Sequence, residues 1–186
     1  MRIFIATTFP VEVLRSVNTR VDPLKPRLPA ASWVRQEAQH LTLAFLGEQP
    51  EPQVSTLAEP LAAVLAGIPR FESRLHGCGF FPNARHARVG WIGLDGEQAF
   101  ARIAHDVREV ALSNGVKLDN VEFRPHLTLM RIRDPWPPAS IELFSKSFRD
   151  FTSASFPVEQ VTMFASRLDP KGAIHTPIRT FDLAQD

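Results

Sequence analysis

The sequence predicts an α+β protein built on antiparallel sheets. Three observations carry that expectation. Short β-branched and aromatic runs alternate with stretches whose apolar residues recur at helical spacing. Tight turn chemistry joins neighbouring runs, which suits antiparallel pairing. One string occurs twice, His40-Leu41-Thr42-Leu43 and His126-Leu127-Thr128-Leu129, 86 positions apart.

The elements follow in order. Residues 2–8 read as a strand stopped by Pro10. Residues 10–21 fit a helix entered at Pro10, with Val11, Leu14, Val17 and Val21 along one face. Pro23, Pro26 and Pro29 then hold the chain in a loop. Residues 40–46 form the next strand, closed by Gly47, and residues 52–66 a helix with Val54, Leu57, Leu61, Val64 and Leu65 on one side. Strands are expected near 70–80 and 87–94, separated by Pro82-Asn83 and followed by a turn at Asp95-Gly96. A helix fits 97–113, a strand 126–132 after Pro125, and a helical stretch 138–149. Two last strands fit 157–165 and 174–183, joined at Asp169-Pro170-Lys171-Gly172. Each half of the chain thus interleaves helices with strands.

Composition excludes several classes of function. The 186 residues suffice for one substantial core. A net charge of +1 argues against coating nucleic acid by bulk charge, though it allows a local basic cleft. The single cysteine, Cys78, rules out an internal disulfide and a cysteine-rich zinc site, and reads as a small buried apolar residue. With no tyrosine in the chain, no phenol can serve as nucleophile or acid. The N-terminal apolar run is too short for a secretory signal and no stretch is long enough to span a bilayer, so the expected place is the cytoplasm, away from membranes.

The repeated string carries the chemistry. Alternation along a strand puts His and Thr on one face and both leucines on the other. The leucines can enter a core, leaving two imidazoles and two hydroxyls for one cleft. Histidine titrates near 6.5, so it can give or take a proton near neutral pH. Opening a cyclic phosphodiester needs one group to deprotonate water and another to protonate the leaving ribose oxygen; two imidazoles can do both. The threonine hydroxyls can bind non-bridging phosphate oxygens.

HLTLAFLG (40–47) and RPHLTLMRIR (124–133) resemble the paired His-x-Thr motifs of the two-histidine phosphoesterases. The chain is most similar to the LigT-like RNA 2′,3′-cyclic phosphodiesterases, also known as 2′-5′ RNA ligases. The resemblance extends over nearly the whole chain. RIFIATTFP resembles the family's first strand, FFPNARHARVGWIGL (80–94) its middle hairpin and VTMFASRLDPKGAIHTPIRTFDL (161–183) its closing strands. It implies that residues 1–186 form a single domain of two similar lobes. Such a fold is pseudo-two-fold symmetric, with antiparallel sheets lining a central cleft and helices outside. It implies His40 and His126 as catalysts, Thr42 and Thr128 as phosphate ligands, Phe45 against the base and Arg131 on the phosphate. Strict alternation would send Phe45 and Arg131, each five positions past its histidine, to the opposite face; they reach the cleft only if the strand bends or ends there. The family often carries an aromatic residue, commonly tyrosine, near His175, which is read as a packing substitute.

The implied reaction is hydrolysis of RNA 2′,3′-cyclic phosphate ends, or of the corresponding nucleotides, to 2′-phosphates. His40 would be the acid and His126 the base, by a monomer with no cofactor and no metal. Reverse 2′-5′ ligation is possible in the same geometry. His-Glu-x-x-His, Gly-x-Ser-x-Gly and the phosphate-loop signature are all absent. Two alternatives stay open. One is a non-catalytic nucleotide- or RNA-binding module, with Arg124, Arg131, Arg133, Arg85 and Arg88 along a groove. The other is a phosphodiesterase for another cyclic or 2′-5′ linked nucleotide.

Overall fold

In the computed structural model, which describes residues 1–169 and 172–184, helices stand beside antiparallel sheets. Strand β1 (Arg2–Thr7) sends Ile3 and Ile5 into the main core, while Phe4 and Ala6 lie on its other face with Phe164. Helix α1 (Val11–Val21) starts directly after Pro10, whose fixed φ suits a helix entry. It buries Val13, Leu14, Val17 and Val21. Val11, expected on the buried face, is half exposed, and Val13 takes that place.

A short strand β2 (Ser32–Trp33), not expected from the sequence, precedes β3 (Leu41–Glu48). Helix α2 (Glu51–Leu65) follows, then β4 (Phe71–Ser73) and β5 (Leu75–Phe81). The strand expected over 70–80 is thus two strands, divided at Arg74 because its ends pair with different partners. The Leu75 N–H is held by the Ser153 hydroxyl at 2.9 Å, which fixes the break. Strand β6 (Val89–Leu94), helix α3 (Glu97–Ser113), strand β7 (Leu127–Arg131) and helix α4 (Pro138–Ser147) come next. The chain closes with β8 (Phe156–Val158), β9 (Gln160–Asp169) and β10 (Gly172–Asp182). Of the expected turn at 169–172, Pro170 and Lys171 lie outside the described residues.

One sheet runs β10-β9-β1-β3, another β2-β7-β6-β5, and β4 pairs with β8. The first sheet therefore joins strands from both ends of the chain. His40 and His126 lie beside different sheets, and neither sheet is one half of the sequence. Helices α2 and α3 pack on each other and against the first sheet. Helix α4 lays Phe144 against Phe80 of the second, with ring centroids 5.3 Å apart. Arg20 at the end of α1 reaches the Ser147 carbonyl at the end of α4. Apart from Phe4, Ala6 and Phe164, the buried apolar residues join into one core spanning both sheets.

One glycine, Gly79, sets how closely β5 and β6 approach. A Cβ on Gly79 would overlap the ring of Trp91, whereas one on Gly67 would make ordinary contact with the Val64 carbonyl at 3.5 Å. The Trp91 ring is stacked on Phe81 and cannot yield as a flexible chain end would. Gly79→Ala should therefore cost about 1–3 kcal/mol, as overpacking does, with Tm falling about 2–4 °C for each kcal/mol. Gly67→Ala should melt near wild type. Equal melting temperatures for the two variants in a calorimetric scan would refute this account of the hairpin.

Candidate active site

The two motif strands share a departure from regular alternation. In β3, Thr42 stands opposite Ala6 and Ala44 opposite Ile5, so Leu43 is an extra, unopposed residue. In β7, Thr128 stands opposite Trp91 and Met130 opposite Gly90, so Leu129 is the extra one. The bulges fall at the same place in both copies of the string. Each buries two consecutive residues, Leu43-Ala44 and Leu129-Met130. That resets the alternation, so the side chain five positions past each histidine returns to the face of the threonine. Phe45, 59% exposed, and Arg131 consequently line the same cleft as Thr42 and Thr128. Strict alternation is overturned here, and so is a core role for Phe45.

The cleft has a volume of about 680 Å³ and lies between the two four-stranded sheets. His40 and His126 both line it, each just ahead of its strand. Each imidazole is held in the same way. Nδ1 of His40 bonds the Ala38 carbonyl at 2.8 Å, and Nδ1 of His126 bonds the Arg124 carbonyl at 2.6 Å. A carbonyl only accepts, so in the neutral ring Nδ1 carries the hydrogen and the Nε2 lone pair is left free. Among the described residues neither Nε2 has a protein partner. The same holds for the hydroxyls of Thr42 and Thr128.

Aromatic rings enclose both imidazoles. Phe4 lies 4.8 Å from the His40 ring, and His175 meets it edge-on at 5.1 Å. Phe81 meets His126 edge-on at 4.9 Å, with Trp91 behind at 6.4 Å. Loss of hydration therefore disfavours the charged form of each. Burial holds His40 at about 4, well below its ordinary 6.5. The Ala38 carbonyl acts in the opposite sense, and His175, His126 and Arg131 deepen the depression. Burial also lowers His126, aided by Arg131 and opposed by the Arg124 carbonyl.

All six residues singled out from the sequence therefore line one cleft: His40, Thr42, Phe45, His126, Thr128 and Arg131. Of the arginines considered for an RNA groove, Arg124 and Arg131 line it; Arg85, Arg88 and Arg133 do not. Arg88 instead binds the Arg133 carbonyl. The sequence reading missed Phe4, Phe81 and Trp91. Only Phe4 had a usable signal, its place between Ile3 and Ile5 on an alternating strand. Cys78 is half-buried, and burial raises its thiol to about 11, in keeping with an inert apolar role. Among the described residues, no cluster of His, Cys, Asp and Glu is gathered to hold a metal. No helix there is long and apolar enough to cross a membrane.

Residues 13–170 match the model of the 2′-5′ RNA ligase superfamily. An RNA 2′,3′-cyclic phosphodiesterase of Thermotoga maritima is 30% identical over 94% of this chain and 91% of its own length. One of Archaeoglobus fulgidus is 33% identical over 98% of this chain and 100% of its own. The crystal structure of E. coli LigT complexed with 3′-AMP matches with a TM-score of 0.78 at 26% identity, covering 99% of this chain and 98% of that one.

The depressed imidazole has a consequence for stability. Unfolding releases His40 into water, where it titrates near 6.5 instead of about 4. Below 6.5 the unfolded chain takes up a proton that the folded chain refuses. The His40 contribution to stability is therefore full above 6.5 and is lost as pH falls from 6.5 toward 4. Urea unfolding at pH 7.5 and pH 4.5 should show a larger loss for wild type than for His40→Gln. Equal losses would mean that His40 titrates normally in the folded protein.

Proposed function

The chain belongs to the 2′-5′ RNA ligase superfamily, and from that membership we propose that it opens RNA 2′,3′-cyclic phosphate ends to 2′-phosphates by acid–base catalysis. The observation that carries this reading is the matched pair of imidazoles, each tied through Nδ1 to a carbonyl two residues upstream and each lining one cleft with Nε2 free. The whole chain acts as one domain in this reading, supported by the core that spans both sheets.

The substrate's phosphate lies between the lobes, with Thr42 and Thr128 donating to non-bridging oxygens and Arg131 offering two N–H groups. Phe45 presents its face to the base. In-line displacement puts the entering water and the leaving O3′ on opposite sides of phosphorus, one for each imidazole. Water attacks phosphorus while His126 Nε2 takes its proton. The P–O3′ bond breaks, and His40 Nε2 gives its proton to O3′.

The electrostatics favour this division of roles. His40, depressed further, is the stronger acid once protonated, while His126 keeps more of its basicity. Protonated His40 is scarce in the free site, and an anionic phosphodiester beside it raises that population. The pair moves both protons without a Lewis acid, so the reading needs neither metal nor cofactor. A 5′-hydroxyl in place of water would make the same displacement, giving its proton to His126 as the P–O3′ bond breaks, and form a 2′-5′ linkage.

Purified protein should hydrolyse 2′,3′-cyclic AMP in EDTA and give 2′-AMP by chromatography. His40→Ala and His126→Ala should each lower kcat by about 10²–10⁴-fold, as loss of a general acid or base does. Predominant 3′-AMP would reverse the assignment of the broken bond, and near-normal turnover in either variant would remove that histidine from the mechanism.

Arg131→Lys should recover only part of the activity lost in Arg131→Ala, because an ammonium cannot replace a two-pronged guanidinium contact. Full recovery would reduce Arg131 to a point charge.

A further inference from the structure

His175 lies outside the sequence motif yet lines the same cleft as His40, from the opposite edge of that sheet. Its ring meets that of His40 edge-on at 5.1 Å and that of Phe4 at 4.9 Å. Its Nδ1 is buried and has no hydrogen-bond partner among the described residues. A hydrogen on that nitrogen would be a buried donor with nothing to receive it. The other tautomer avoids this, leaving a lone pair inside and placing the N–H on Nε2. That nitrogen is neither buried nor bonded within the protein, so it meets the cleft's solvent.

The surroundings specify what such a donor would meet. His175 stands opposite Ser166 on β9, and Ser166 stands opposite Arg2 on β1. All three line the cleft, forming a row of donors across three strands, with His175 against His40. The acidic side chain lining the cleft, Glu122, is ion-paired with Arg124 at 2.7 Å. A wall that offers a guanidinium, a hydroxyl and an imidazole N–H, with no free carboxylate among the described residues, fits an oxygen-rich anion. We propose that His175 is a substrate-binding residue, a third working imidazole whose Nε2–H donates to a phosphate oxygen held beside His40; this rests on the phosphodiesterase reading above. A packing substitute would need neither free nitrogen nor the open side of the cleft. Burial lowers the His175 pKa, which favours the uncharged donor form; a charge on His175 would oppose a proton on His40.

Two substitutions separate donor from filler. His175→Phe keeps a ring against Phe4 and removes both nitrogens. His175→Gln places an amide N–H near the position of Nε2 and never carries charge. Inorganic phosphate binding, measured by calorimetry at pH 7.5, gives a readout free of turnover. The Kd for phosphate, and the KM for 2′,3′-cyclic AMP, should rise about 10-fold or more in His175→Phe, as expected for losing a hydrogen bond to a charged group. His175→Gln should stay within about threefold of wild type, since one neutral donor replaces another. Unchanged phosphate affinity in His175→Phe, equal losses in both variants, or no phosphate binding by wild type would each overturn the proposal. If phosphate affinity falls as expected but wild type fails to open the cyclic nucleotide, the reaction assignment fails and the anion site stands. If turnover proceeds and phosphate affinity ignores His175, the reverse holds.

Discussion

The site depends on one unopposed leucine in each motif strand. Leu43 and Leu129 interrupt the ladders at matching positions, and the reach of Phe45 and Arg131 into the cleft follows from that. Without the bulges, a strand that buries two leucines could offer only His and Thr to the ligand. With them, it also offers the residue five positions past the histidine: a phenyl ring in one copy, a guanidinium in the other. In the proposed reading the shared backbone thus divides the work of binding. Phe45 provides an apolar face suited to a base, and Arg131 a fork suited to a phosphate. The bulges give two different side chains the same geometric address.

A second shared device is electrostatic. Each histidine spends Nδ1 on a carbonyl of its own lead-in segment, which fixes tautomer and ring orientation before any substrate arrives. Aromatic rings then remove water from both imidazoles, and the charge on Arg131 is felt by both. A site that disfavours its own positive charge gains most when an anion enters. In the proposed mechanism binding and activation are therefore coupled: the phosphodiester that is to be cleaved also makes the acid available. The same enclosure that costs the protein stability at acid pH sharpens its response to substrate.

Much of this could be read in the sequence, and the limits have physical causes. Helix α3 and the hairpin strand β6 came close to their observed bounds, because long periodic segments and turn residues report locally. His40, Thr42, His126 and Thr128 were legible because a doubled string on two strands has one economical explanation. The strand over 70–80 misled because its residues give no sign that Arg74 divides two partners. Phe45 and Arg131 were invisible to alternation, since a bulge is set by the facing strand as much as by the bulged one. The place of His175 in the cleft was hidden for a related reason. Its neighbour His40 is 135 positions away, and only the pairing of β1 with β9 brings the two elements into one sheet.

That pairing also fixes how the cleft must be assembled. The sheet beside His40 holds β1 and β3 from the start of the chain and β9 and β10 from its end. The sheet behind His126 runs from β2, near residue 32, to β7. Neither imidazole can therefore acquire its full surroundings from a contiguous stretch of sequence around its own motif. Phe4 cannot be covered until Phe164 and His175 arrive, and the depression of His40 by His126 and Arg131 exists only once the two sheets face each other. Local sequence can specify the tautomer, because the carbonyl partner lies two residues away. The proton affinity is a property of the closed fold. A duplicated motif thus becomes an unequal pair of imidazoles through contacts that neither copy of the string contains.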